Sequence, residues 1–290
     1  MSNLFQEYKV SLKDISVEEP LDLYLFRPIA FILVKLIYRS SLTPNQISFL
    51  SILAGILAGF LFALGTPASF IYGGIMFGLT HILDLCDGMI ARLKKTGTPT
   101  GRIIDGFADY VNGVAVYTGF GLGLSRSSLE FPISPILIVL FTGICAAIHS
   151  MIADYFRSEF MAHALGKSRC VQEERELFTS ELKKMKKIKG KYLEKLLIKV
   201  YLKYSRVQAG QTTKKRKYDQ KTYFKTNKSL LRLWNCLGAS AHISMFMISS
   251  FLFNPAIFFY FVLGIANIAM LVLWVFQVNT NKRIDLTANI

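Results

Sequence analysis

Residues 84–109 read DLCDGMIARLKKTGTPTGRIIDGFAD, and this stretch decides the fold. It holds four carboxylates, Asp84, Asp87, Asp105 and Asp109, between the apolar runs FIYGGIMFGLTHIL (70–83) and VNGVAVYTGFGLGL (111–124). Ionisable side chains at membrane depth are expensive and point to function. Asp84, Asp87, Gly88, Ala91 and Arg92 recur at i, i+3, i+4, i+7 and i+8, one stripe of an α-helix. Gly101, Asp105 and Asp109 step by four along a second helical face. Gly97 and Pro99 break the chain between them, so the spacing predicts two antiparallel helices whose acidic faces meet near the turn. Clustered carboxylates repel unless cations neutralise them, and oxygen-only ligands favour Mg²⁺, Mn²⁺ or Ca²⁺ over zinc. Two such cations about 4 Å apart would suit phosphoryl transfer.

The pattern D84-x2-D87-G88-x2-A91-R92-x8-G101-x3-D105-x3-D109 resembles the signature of the CDP-alcohol phosphotransferases (CDP-alcohol phosphatidyltransferases), with all eight positions at the right gaps. The signature covers 26 residues, and its helical context extends the resemblance over roughly 20–280, apart from a long insertion. The resemblance implies transfer of a substituted phosphoryl group from a CDP-linked alcohol, such as CDP-diacylglycerol, to the hydroxyl of a polar alcohol, with release of CMP. It also implies two Mg²⁺ or Mn²⁺ ions held by Asp84, Asp87 and Asp105. Asp109 would deprotonate the acceptor or complete the second metal's ligands. Gly88 and Ala91 would leave room for the nucleotide, Gly101 would avoid a clash opposite, and Arg92 would bind diphosphate or position an aspartate. A homodimer is implied as well.

Composition agrees with an all-α integral membrane protein. The 290 residues are 52% hydrophobic, with several apolar runs near the roughly 20 residues that span a bilayer. Four scattered cysteines fit neither a disulfide framework nor a zinc site. The charge is uneven. Residues 166–232 carry 21 Lys/Arg against six Asp/Glu, so all of the formal +15 sits in this one segment.

Taken in order, 1–19 is expected as a polar leader without a signal-peptide core. Residues 20–40 are expected as an amphipathic helix in the membrane interface, with Arg27, Lys35 and Arg39 on its polar side. Residues 43–165 should hold four transmembrane helices and the active site, beginning at the capping Thr43-Pro44 and spanning about 46–65, 69–93, 101–124 and 133–156. Gly55 and Gly59 suit close helix packing in the first. Residues 166–232 form a basic amphipathic insertion, with Leu193, Leu196, Leu197, Val200 and Tyr204 at helical spacing and 208–228 as a loose connector. Two further spans fill 233–280, about 233–253 and 255–278, followed by a polar tail, 281–290. Six spans place both termini on one side, with Lys94, Lys95, Arg102, the insertion, Lys282 and Arg283. The positive-inside rule puts that side, and the active site, in the cytoplasm. The insertion reads as a partner for anionic membrane lipid, or as a dimer or partner contact. No nucleic-acid recognition motif accompanies its charge.

The acceptor is harder to read. Asp154–Arg157 at the end of the fourth span resembles a Tyr-x-Arg/Lys pattern in relatives that use inositol phosphate, glycerol phosphate or serine. Arg157 is therefore the candidate acceptor ligand, with pairing to Asp154 or Glu159, or snorkelling to lipid, as the plainer alternative. Inositol or inositol phosphate is the favoured acceptor, ahead of glycerol phosphate, serine or an amino alcohol. His81, one turn before Asp84, reads either as a site neighbour or as a packing residue. Two rival classes, aspartate-rich membrane prenyltransferases and ion transporters, fit less well. Both acidic stripes lie within 26 residues, and no second acidic segment repeats them.

Overall fold

A computed structural model describes residues 2–97, 99–167, 171–186, 190, 192–209 and 218–287, and every regular element among them is helical. Among the described residues, four helices are long and apolar enough to cross a membrane: Pro44–Ala63, Pro67–Leu93, Pro135–His163 and the continuous run Pro255–Ile284. The chain divides into two compact units, Met1–Ile148 with Ala239–Asn267, and His149–Gly238 with Ile268–Ile290.

In the first unit, α3 (Pro44–Ala63) lies along both α4 (Pro67–Leu93) and α5 (Pro99–Arg126). Capping boxes start α3 and α4: Thr43 and Gln46 bond reciprocally, as do Thr66 and Ser69, each with proline at the first helical position. α3 and α5 run in the same direction with their backbones close together. A Cβ on Gly119 would strike the Gly59 carbonyl, and one on Gly123 would strike that of Phe62. Gly55 leaves its space to the Asn112 side chain. The small residues at 55 and 59 therefore serve the α3–α5 seam, as do Gly119 and Gly123. The apolar core of this unit is an aromatic cluster, with Phe62 edge-on to Phe70, Phe120 and Phe246 at 5.4–5.5 Å.

Residues 1–19 are more than a polar leader. α1 (Ser2–Ser11) is helical, and Leu12, Val17, Glu18 and Glu19 are buried. A π-helical turn, Asp22–Phe26, leads into α2 (Arg27–Ile37), whose Ala30, Phe31 and Val34 pack with Leu85, Cys86, Met89 and Ile90 of α4. Two of the three charges expected on a headgroup-facing side are instead paired within the protein. Arg27 Nε donates to Glu18 at 2.7 Å, and Lys35 Nζ to Glu7 at 2.5 Å.

The stretch expected as a fifth span is not one helix. α9 (Gln220–Asn235) ends before a turn at 236–238, and α10 (Ala239–Phe251) has 13 residues, about 20 Å of helix against a hydrocarbon core of about 30 Å. The restart has a physical cause. The Glu19 carboxylate accepts from the Ser240 amide at 2.8 Å and its hydroxyl at 2.6 Å, placing an anion on the N-terminus of α10.

The second unit contains the end of α6 (Pro135–His163), the hairpin of α7 (Val171–Lys186) and α8 (Tyr192–Ala209), α9, and the C-terminal half of the last apolar helix. The expected loose connector is half helix. Asp219 caps α9, accepting from the Thr222 amide at 2.8 Å, and α9 buries Tyr223, Asn227, Leu231 and Trp234. Trp234 Nε1 donates to Gln277 at 3.2 Å, and Gln277 donates to Asn227 at 2.6 Å. Phe178 meets Tyr201 between α7 and α8 at 4.8 Å. α8 exposes Tyr192, Leu196 and Val200 on successive turns, with Lys199, Lys203 and Arg206 also exposed. The Leu193, Leu197 and Tyr204 side chains, the Arg102 side chain and Cys170 lie outside what the structure describes.

Candidate active site

The helix breaks between α4 and α5, as expected. Lys95 takes a positive φ of 55°, and α5 begins at Pro99. The two helices return antiparallel and bring the acidic stripes together. Asp84, Asp87 and Asp105 each offer a carboxylate oxygen within 4.8 Å of the others. Asp84 lies within hydrogen-bonding reach of both the Asp105 and the Asp109 carboxylates. Asp87 is buried, Asp84 and Asp105 are half-buried, and Asp109 is exposed at the edge of the cluster.

This donor set fits a hard divalent cation. Its ligands are all oxygen, and the inner Asp105 oxygen, Oδ1, is buried with no hydrogen-bond partner. A cation among the carboxylates would both satisfy that atom and offset the repulsion.

The supporting polar residues lie at positions that the signature does not include. Ser48 of α3 donates its hydroxyl to Asp87 Oδ2. One turn further on, Ser51 donates to the Thr80 carbonyl at 3.3 Å and accepts from Asn112 Nδ2 at 3.0 Å. Asn112 is three residues past Asp109, so this ladder links α3, α4 and α5 directly beneath the carboxylates. The sequence does carry a signal for it: Ser48, Ser51 and Gly55 form a small-residue line in an otherwise apolar span.

His81 is buried and paired. Its Nε2 lies 2.8 Å from Asp22 Oδ1, and its ring stands edge-on to Phe26 at 4.8 Å. Arg92 Nε donates to the Ser11 carbonyl at 2.5 Å. The Arg92 Nη atoms lie beside Gly88, 3.4 Å from where a Cβ would stand. Ala91 and Gly101 are half-buried on their helices. Arg157 belongs to the second unit, where its Nη1 is 3.8 Å from Asp154 and its Nε 3.4 Å from Asn235. Glu159 pairs instead with His163 at 3.2 Å.

Residues 41–173 match the family model described as CDP-alcohol phosphatidyltransferase. The comparison thus identifies residues 41–173 as a CDP-alcohol phosphatidyltransferase domain. The match takes in α3 to α6, and therefore every residue of the Asp84–Asp109 signature. The phosphatidyltransferase domain also finds curated relatives. A phosphatidylinositol phosphate synthase of Corynebacterium glutamicum is 29% identical over 93 residues, 32% of this chain and 40% of that protein. The inner membrane protein YnbA of Escherichia coli K12 is 28% identical over 135 residues, 46% of this chain and 65% of that protein. The chain thus spans less than two thirds of the length of either relative. The match begins at residue 41, so α1, the π-helical turn and α2 lie ahead of it, and with them the contacts of Asp22 and Phe26 to His81 and of Ser11 to Arg92.

Proposed function

We propose that the protein transfers a phosphatidyl-type group from a CDP-linked lipid, such as CDP-diacylglycerol, to a hydroxyl of inositol or inositol phosphate, and releases CMP. The observation that carries the reading is the convergence of the Asp84, Asp87 and Asp105 oxygens around a buried, unpartnered acceptor atom. The name of the Corynebacterium relative favours an inositol-type acceptor. Asp84, Asp87 and Asp105 hold Mg²⁺ or Mn²⁺, two ions in all, with Asp109 at their edge. When bound, these ions neutralise the diphosphate and orient it.

The remaining chemistry belongs to the chain. The acceptor oxygen attacks the β-phosphorus, the bond from that phosphorus to the bridging oxygen breaks, and CMP leaves with the electron pair. Asp109, the exposed carboxylate of the four, takes the proton from the acceptor hydroxyl. Arg92 and the small residues Gly88, Ala91 and Gly101 line the diphosphate and nucleotide side. Arg157 is the proposed acceptor ligand.

The apolar helices are read as six membrane spans with 20–40 at the interface. The cytoplasmic face holds the site, both termini and the basic segment. Anionic lipid is the proposed partner of that segment, and the protein acts as a homodimer. An acceptor panel tests the specificity. Purified protein in liposomes with CDP-diacylglycerol and Mg²⁺ or Mn²⁺ is given inositol, inositol phosphate, glycerol phosphate, serine or ethanolamine, and CMP is measured. CMP release with an inositol-type acceptor supports the assignment. Release with glycerol phosphate, serine or ethanolamine alone would move it to that alcohol.

A further inference from the structure

Two guanidinium groups stand beside the signature helix, and the donors of one are not all met. Arg27 is 4% exposed. Its Nε is bonded to Glu18, but its Nη1 is buried without a hydrogen-bond partner. Such a donor is costly to bury and calls for an acceptor. α2 runs in the same direction as α4: Asp22 and Phe26 meet His81, and the Cys86 thiol reaches the Ala30 carbonyl at 3.4 Å. That register sets Arg27 at the level of Asp84. Long helical side chains lean toward the N-terminus of their helix, and the Arg92 Nη atoms accordingly lie beside Gly88. One short segment holds both arginines, through the Ser11 carbonyl and the Glu18 carboxylate. Glu18 acts on both guanidiniums, while Asp87 and Asp105, which also act on Arg92, belong to the cation cluster.

We propose that Arg27 and Arg92 together form a phosphate-binding site beside the carboxylate cluster, with Arg27 supplied from ahead of the matched domain. The ligand is a phosphate group, whose oxygens suit the planar donor forks of paired arginines. Two substrates could bring it: the diphosphate of the CDP-linked donor, or the phosphate of a phosphorylated acceptor. The proposal rests on the phosphotransferase reading for the source of the phosphate, and on the geometry for the site itself.

The test uses the full-length protein in liposomes, as wild type, Arg27→Gln and Arg27→Lys. KM is measured for CDP-diacylglycerol, inositol and inositol phosphate, and thermal protection is measured with inorganic pyrophosphate in the presence of Mg²⁺. Arg27→Gln is expected to raise one KM by about 10-fold or more and to weaken pyrophosphate protection similarly, since a truncated charged hydrogen bond is lost. A rise in donor KM with either acceptor assigns the donor's diphosphate. A rise for inositol phosphate alone, with inositol unchanged, assigns the acceptor's phosphate. Arg27→Lys keeps a charge opposite Glu18 and should show an intermediate effect, and it carries the test if Arg27→Gln does not fold. Unchanged KM values and unchanged pyrophosphate protection, with only the melting temperature lowered, would overturn the proposal and leave Arg27 as the partner of Glu18. Absence of CMP from the wild type would count against the phosphotransferase reading, whereas pyrophosphate protection reports on the arginine site without turnover.

Discussion

Asp109 differs from its three neighbours in one respect that favours its proposed role as the base: it is exposed, while Asp87 is buried and Asp84 and Asp105 are half-buried. Asp109→Asn keeps the side-chain volume and removes the base. It should cut the rate of CMP release by about 10²- to 10⁴-fold, the usual share of general-base catalysis, with little change in melting temperature. Ser48→Ala should act differently, because it removes the hydroxyl held by the Asp87 carboxylate. The divalent-ion concentration giving half-maximal activity should rise by about 10-fold or more, as for other groups that orient a metal ligand. A metal titration of the variant checks this. The four aspartates were legible in the sequence because carboxylates are too costly to keep at helical spacing inside apolar runs without a task. Ser48 and Ser51 show in the sequence only as small residues in an apolar span, not as partners of the site. A serine in a helix can bond its own preceding turn, as Ser48 also does with the Pro44 carbonyl, so its sequence position says little about a partner 39 residues away.

At the scale of elements, the α3–α5 seam is set by backbone contact. Gly119→Ala would drive a methyl group into the Gly59 carbonyl, and backbone atoms cannot yield as the end of a side chain can. The expected cost is about 1–3 kcal/mol, the range for overpacking. Gly113, on the same helix with open space around its Cβ position, should tolerate alanine or gain up to about 1 kcal/mol. Thermal unfolding of the two variants in one detergent compares them directly. The α8 face makes a separate prediction. On the proposed lipid contact, residues 192–206 should gain protection from amide exchange when about a third of the liposome lipid is anionic, and Lys199→Glu with Lys203→Glu should abolish it, since each nearby cation contributes about 1 kcal/mol of attraction. Asp219 adds a dependence on pH. Its bonds from Thr222 hold the carboxylate below its ordinary value, so its capping is present above that value and lost as the pH falls through the lowered one. Fraying at the start of α9 in acid is the expected sign, seen by amide exchange. The sequence showed where α3 starts, because the cap at Thr43-Pro44 is local, whereas α4 starts at its Thr66-Pro67 cap, two residues before the expected Ser69. It did not show α1, the Glu19 cap on α10 or the start of α9 at Asp219. The first two depend on contacts between residues over 200 positions apart, or on burial of a segment that looks polar in isolation.

At the scale of the molecule, the charge asymmetry and the site belong to one account. In the proposed topology, the basic segment shares the cytoplasmic face with Lys94, Lys95 and the α4–α5 turn, as the positive-inside rule would have it. Cys236 is exposed, while Cys86 and Cys145 are buried. In a Cys170→Ser background, a membrane-impermeant maleimide should therefore label the protein in inverted vesicles and not in right-side-out ones. Labelling only from the outer face would reverse the orientation. The number of spans was the least legible feature, because α10 is short and α5 carries the site's charges, so length and hydropathy alone select four helices. The central claim is that the Asp84–Asp109 cluster performs metal-dependent transfer from a CDP-linked lipid. The most direct measurement is CMP release from CDP-diacylglycerol by wild type, Asp105→Asn and Asp109→Asn, with the divalent ion first removed by chelation and then restored. The account predicts release that stops on chelation, returns with Mg²⁺ or Mn²⁺, and is absent or reduced by about 10²-fold or more in both variants. Release that persists without divalent ions, or that is equal in all three proteins, would contradict it.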